Sequence, residues 1–148
     1  MSRPAVLVLN GPNLNRLGVR EPEIYGSLTL DDLASDLRGR FPSLTLRFEQ
    51  HNGEGALIEA LHAADTVETA GIVFNPGGYG HTSVALRDAV ASLATPVVEV
   101  HISNVFAREG FRQSLVVAGA CTGVIAGFGL QGYALAVAHF AGHVGEGA

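Results

Sequence analysis

With 148 residues, 47% of them hydrophobic and 16% charged, the chain is sized for one globular domain (1–148) with a substantial core, not for a disordered or multi-domain protein. The net charge is -5 and all nine basic residues are arginines, with no basic cluster, which argues against nucleic acid and points to a small-molecule partner. The absence of lysine excludes Schiff-base catalysis, pyridoxal phosphate anchorage and a GxxxxGK[ST] phosphate loop, each of which needs that amine.

The first element is AVLVL, residues 5 to 9, a continuous β-branched and leucine run stopped by Asn10-Gly11-Pro12, as expected of a strand buried on both faces. Met1 to Pro4 lead straight into it, with no signal peptide pattern, and no apolar run approaches the roughly 18 residues of a membrane span, so no membrane partner and a cytoplasmic location are expected. The stretch that follows, NGPNLNRLGVREPEIYGSLT, is long for a strand-to-helix connection. It carries Arg16, Arg20 and Tyr25 with Gly11, Gly18 and Gly26 as candidate hinges, and reads as a lid over a ligand.

Leu30, Leu33, Leu37 and Phe41 have helical spacing, with Thr29 as the cap and Asp31 and Asp32 in the first turn. LTLRFEQ (44–50), GIVFN (71–75), PVVEVH (96–101) and GVIAGF (123–128) read as four more strands. Leu57, Ile58 and Leu61 mark a second helix. Val84, Leu86, Ala89, Val90 and Leu93 mark a third, capped near Thr82 or Ser83, and a short helix is expected over 106–113. The last helix, 130–142, is apolar nearly all round, which suggests packing beyond its own sheet and hints at an oligomer, the alternative being a helix buried within its own domain. Cys121, in AGACTGVIAGF, is expected to be a small buried residue rather than a nucleophile, and one cysteine allows neither a disulfide framework nor a cysteine metal cluster. Strands alternating with helices imply an α/β fold. The expected form is a flavodoxin-like, five-stranded parallel sheet of order 2-1-3-4-5 with helices on both faces.

Ligands of such sheets bind beyond the carboxyl ends of the strands, where strand order reverses. Strand one runs into Asn10, Asn13 and Asn15; strand three into Asn75, Gly77, Gly78 and His81; strand four into His101, Ser103 and Asn104. Turn chemistry explains one such cluster, but three on one edge point to a site. A phenol ordinarily titrates near about 10, and a neighbouring guanidinium favours the phenolate, so Tyr25 with Arg20 is a candidate base. Glu99 and His101, two apart on a strand, share a face, and a carboxylate beside an imidazole favours the imidazolium that suits a general acid. Asn75, His81, the backbone around Ile102 and Ser103, and Arg112 would hold a small hydroxylated or carboxylated ligand. A non-catalytic binding module of the same fold is the alternative. It is disfavoured because Asn10-Gly11-Pro12 replaces the acidic pocket of a receiver and the first loop lacks a flavin phosphate cradle. Esterase-like chemistry from Ser83 or Ser103 lacks a G-x-S-x-G elbow.

LNGPNLNRLGVREPEIYG, NPGGYGHTSVALRDA and EVHISNVFAREGFR, in that order and closing with GFGLQGYALA, resemble the type II 3-dehydroquinate dehydratases over roughly residues 5 to 143. The resemblance implies anti elimination of water from 3-dehydroquinate to give 3-dehydroshikimate through an enolate, with no cofactor or metal, by a homododecamer of four trimers. It makes Tyr25 the base, assisted by Arg20, Asn13 a stabiliser of the enolate through a water, and His101 the acid for the departing hydroxyl. Asn75, His81, Asp88, Ile102, Ser103 and Arg112 correspond to substrate contacts, Asp88 in the site of an adjoining subunit, with Arg108 near the closed lid. Three departures stand out: Gly80 where threonine is usual, Phe106 where histidine is common, and QSLVVAGAC at 113–121 in place of a run containing His-Ser-Tyr.

Overall fold

The computed structural model describes residues 3–19 and 21–147, and at residues 24, 25 and 143–147 the backbone alone. Five strands, β1 (Ala5–Asn10), β2 (Thr45–Gln50), β3 (Thr69–Asn75), β4 (Val97–His101) and β5 (Gly123–Ala126), pair in parallel in the order β2-β1-β3-β4-β5. Among the described residues five α-helices accompany them: α1 (Pro22–Tyr25), α2 (Leu30–Arg40), α3 (Glu54–Ala64), α4 (Val84–Ala91) and α5 (Gln131–Gly147). Among the described residues no helix is long and apolar enough to cross a membrane.

The strand period of two divides the core. Val6, Val8, Val73, Val98 and Val100 meet Leu33 and Leu37 of α2 and Tyr133, Val137 and Phe140 of α5 on one face. Leu7, Leu9, Ile72, Phe74 and Val97 meet Leu57 and Leu61 of α3 and Leu86 and Val90 of α4 on the other. Each fully buried Leu or Phe contributes about 1.5–3 kcal/mol relative to exposure. Gly71 is needed where β3 passes under α5, because a Cβ there would sit within 2.3 Å of the Phe140 ring.

Thr29 caps α2 as its sequence implies. Its hydroxyl accepts from the Asp32 N–H while the Asp32 carboxylate accepts from the Thr29 N–H, which holds the Asp32 carboxyl below its ordinary range. Ser83, not Thr82, caps α4, accepting from the Leu86 N–H. Two expectations shift. β5 ends at Ala126 because Gly127 turns to φ 95°, and the helix expected over 106–113 divides into 3-10 turns at Val105–Ala107 and Gly110–Gln113. Arg108, with an extended backbone, separates those turns, and its side chain reaches Ser103. Cys121 is only partly buried; burial pushes its thiol up to about 12, which fits an inert residue rather than a nucleophile.

Candidate active site

Register brings the polar strand ends level. Asn10 pairs with Gln50 on one side and Asn75 on the other, and the Gly11 N–H continues the ladder to the Asn75 carbonyl at 2.7 Å. The loops after β1 and β3 are in backbone contact here, since a Cβ on Gly11 would lie 2.5 Å from the Pro76 carbonyl oxygen. Gly77, at φ 61°, adopts a backbone that other residues rarely take and closes the turn against Pro12. Between these loops and the end of β4 lies one cleft. It is lined by Pro12, Asn13, Asn75, Gly77, Gly78, His81, His101, Ile102, Ser103, Arg108 and Arg112.

Eight of the residues expected at the site therefore meet in one place: Asn13, Asn75, His81, His101, Ile102, Ser103, Arg108 and Arg112. Glu99 lies behind them, fully buried, and its Oε2 accepts from His101 Nε2 at 2.5 Å. With Nε2 turned to the carboxylate, Nδ1 is the other proton-carrying position of the ring. Asp88 does not line this cleft and lies on the exposed face of α4. Arg20 and the side chain of Tyr25 lie outside the described residues; the Tyr25 backbone closes α1.

His81 has a defined tautomer. Its Nδ1 contacts the Ser114 carbonyl at 3.0 Å, and because a carbonyl only accepts, Nδ1 carries the hydrogen and Nε2 offers a lone pair. Burial lowers the pKa of this imidazole, outweighing the opposite pull of the Ser114 carbonyl, and the nearby His101 and Arg112 also lower it. Arg112 donates Nε to the Glu109 carboxylate at 3.1 Å and Arg108 donates to the Ser103 hydroxyl at 3.2 Å, so both guanidiniums are oriented at the cleft wall. The cleft thus combines an imidazole paired with a carboxylate, a neutral imidazole acceptor, two amides and two cations. That set suits proton transfer on a small anionic, hydroxylated molecule.

Sequence reasoning overlooked the support of Asn13. This residue stands at φ 70°, a left-handed conformation, and its N–H is taken by Asn52 Oδ1 at 3.0 Å. Gln50 Nε2 donates to the same oxygen at 2.9 Å and to the Gly11 carbonyl at 3.0 Å, while the Tyr79 hydroxyl donates to the Asn52 carbonyl at 3.2 Å. The rule that identified the other strand ends applies equally to β2, which runs into Gln50, His51 and Asn52. Ser83 is not a nucleophile: its hydroxyl donates to Glu54 Oε2 at 2.5 Å, tying α4 to α3.

A model of the family described as Dehydroquinase class II matches residues 4–141. A 3-dehydroquinate dehydratase of Bacillus pumilus is 57% identical over 90% of this chain and 92% of its own length. One from an Exiguobacterium species is 55% identical over 89% and 90%. The crystal structure of type II dehydroquinase from Butyrivibrio crossotus superposes with a TM-score of 0.91 at 43% identity, covering 95% of this chain and 99% of that one.

Proposed function

The chain belongs to the class II dehydroquinase family, a hydro-lyase family acting on 3-dehydroquinate, and on that premise we propose how its own residues divide the reaction. Tyr25, as the phenolate assisted by Arg20, removes the proton on the carbon beside the ketone, and the electron pair moves onto the carbonyl oxygen to give an enolate. Asn13 stabilises that oxygen through a water. His101, backed by Glu99, gives its proton to the departing hydroxyl. The enolate electrons form the new C=C bond as the C–O bond breaks, releasing water and the conjugated enone 3-dehydroshikimate. Tyr25 has then gained a proton and His101 lost one, and exchange with solvent resets both.

The observation that carries this division is the buried Glu99–His101 pair opening into a cleft that also holds Asn75, His81 and Arg112. In that cleft Arg112 meets the substrate carboxylate, and His81, Ser103 and the backbone at Ile102 meet hydroxyls. The lid that carries Arg20 and Tyr25 is rooted beside this cleft through Leu14 and Leu17, both buried in the core. Purified enzyme forming an enone absorbance from 3-dehydroquinate, and a Tyr25→Phe variant that binds substrate without turnover, are the expected results. Full activity in that variant removes Tyr25 from the role of base.

The enzyme acts as a homododecamer of four trimers in the cytoplasm. Two features support self-association: Asp88, outside its own cleft, is available to a neighbouring one, and Phe106, Val124, Phe128 and Leu135 leave an apolar patch beside the β5 edge. Light scattering at the dodecamer mass, and complementation of Asp88→Ala by a cleft-defective variant in mixed assemblies, test this.

A further inference from the structure

Tyr133 takes no part in the chemistry set out above, yet its hydroxyl is placed between two side chains at the foot of the cleft. The residue is fully buried on α5, and Asn10 and Asn75, at the level ends of β1 and β3, are nearly so, at 2% and 3% exposed. Asn75 Nδ2 donates to the Tyr133 oxygen at 2.8 Å, and the Tyr133 hydroxyl donates to Asn10 Oδ1 at 2.6 Å.

The direction of this chain is fixed by its ends. A backbone N–H only donates, and that of Gly77 meets Asn75 Oδ1 at 3.0 Å, so the oxygen of the Asn75 amide faces the turn and its nitrogen faces Tyr133. The phenol oxygen must then accept from Asn75 and send its own proton to Asn10. Burial drives the Tyr133 pKa further up, so the phenol keeps that proton at any working pH. One Asn75 amide hydrogen is consumed by Tyr133. The second makes no hydrogen bond within the described chain, and Asn75 lines the cleft.

We propose that Tyr133 is a positioning residue for substrate recognition, locking the Asn75 amide so that it meets the substrate as a hydrogen-bond donor to an oxygen acceptor. This rests on the reading of Asn75 as a substrate contact. A phenylalanine at 133 keeps the ring in the core but removes the acceptor that anchors the Asn75 nitrogen; the Gly77 N–H still holds the oxygen end, so the amide swings about that one bond and its donor leaves the place where the substrate presents an oxygen.

Steady-state kinetics on the assembled enzyme test the lock. Tyr133→Phe is expected to raise KM about tenfold with kcat changed by less than about threefold, the pattern of a lost binding interaction. Asn75→Ala raises KM similarly, and the double variant is no worse than Asn75→Ala alone, because the hydroxyl acts through that amide. A merely structural tyrosine would lower the melting temperature, leave KM unchanged, and add its effect to that of Asn75→Ala. If Tyr133→Phe does not fold, Asn10→Ala serves: the phenol proton, left without its acceptor, is free to turn toward the Asn75 nitrogen, a donor held there by the Gly77 N–H, and displaces that amide from its position, again raising KM. Unchanged KM in whichever of these two variants folds, or additive effects in the double variant, overturns the proposal. Unchanged KM in Asn75→Ala would overturn the substrate contact itself, and the proposal with it.

Discussion

Glu99 and His101 stand two residues apart on β4 and their side chains meet across 2.5 Å, the carboxylate fully buried and the imidazole 5% exposed. A buried carboxylate is tolerated because the imidazole partners it, and the imidazole is held in one orientation at the cleft because the carboxylate cannot move. Glu99→Gln keeps a hydrogen-bonding group of the same size and removes the charge. It is expected to lower kcat about 100-fold with little change in KM, since the missing charge matters when His101 carries and delivers its proton. A kcat within about twofold of wild type would show that Glu99 only fills space.

Asn52 never touches the cleft, but its side chain takes the N–H of left-handed Asn13. Asn52→Ala leaves that N–H without its acceptor and lets the Asn13 loop relax. A fall in kcat/KM of about tenfold is expected, with the melting temperature lowered by only a few degrees. Measurement of both quantities on one preparation separates loop placement from general destabilisation.

His81 gives the pH dependence a sign. Its folded pKa lies below the ordinary histidine value, so the neutral, accepting form persists at pH values where a free histidine is already charged. KM should therefore stay flat as pH falls through the ordinary histidine range and rise only below it, when Nε2 takes a proton and stops accepting. The stability linkage runs the same way. A base whose pKa is depressed by folding contributes stability that is fully present above its unfolded value and is lost as pH falls from there to the folded value. A His81→Asn variant should lose this arm of the KM profile.

Gly71 tests the core instead of the chemistry. Alanine there would place a Cβ within 2.3 Å of Phe140, forcing α5 away from β3, and about 1–3 kcal/mol of destabilisation is expected by chemical denaturation. Because α5 also delivers Tyr133, a rise in KM should accompany the loss.

The sheet was legible in the sequence because β1, β3 and β4 are buried on both faces and so spell mostly apolar runs, broken in β4 only by Glu99, each ended by a polar residue. The edge-of-sheet rule then located Asn13, Asn75, His81, His101, Ser103 and their neighbours, because it depends on strand ends alone. Tyr133 was hidden for the opposite reason. It sits 58 residues from Asn75 and 123 from Asn10, inside an apolar helix, and only its packing shows that its hydroxyl is needed. The division of 106–113 into two turns was likewise invisible, since the extended backbone at Arg108 answers to Ser103, not to local periodicity.

The contact between Gly11 and Pro76 carries a consequence for redesign. With the Gly11 N–H bound to the Asn75 carbonyl and no room for even a methyl group between the two loops, residues 11–13 and 75–78 form a single unit of inheritance. Loop exchange aimed at a new substrate would have to transplant both segments together, and a library that varies either one alone would mostly sample misfitted halves.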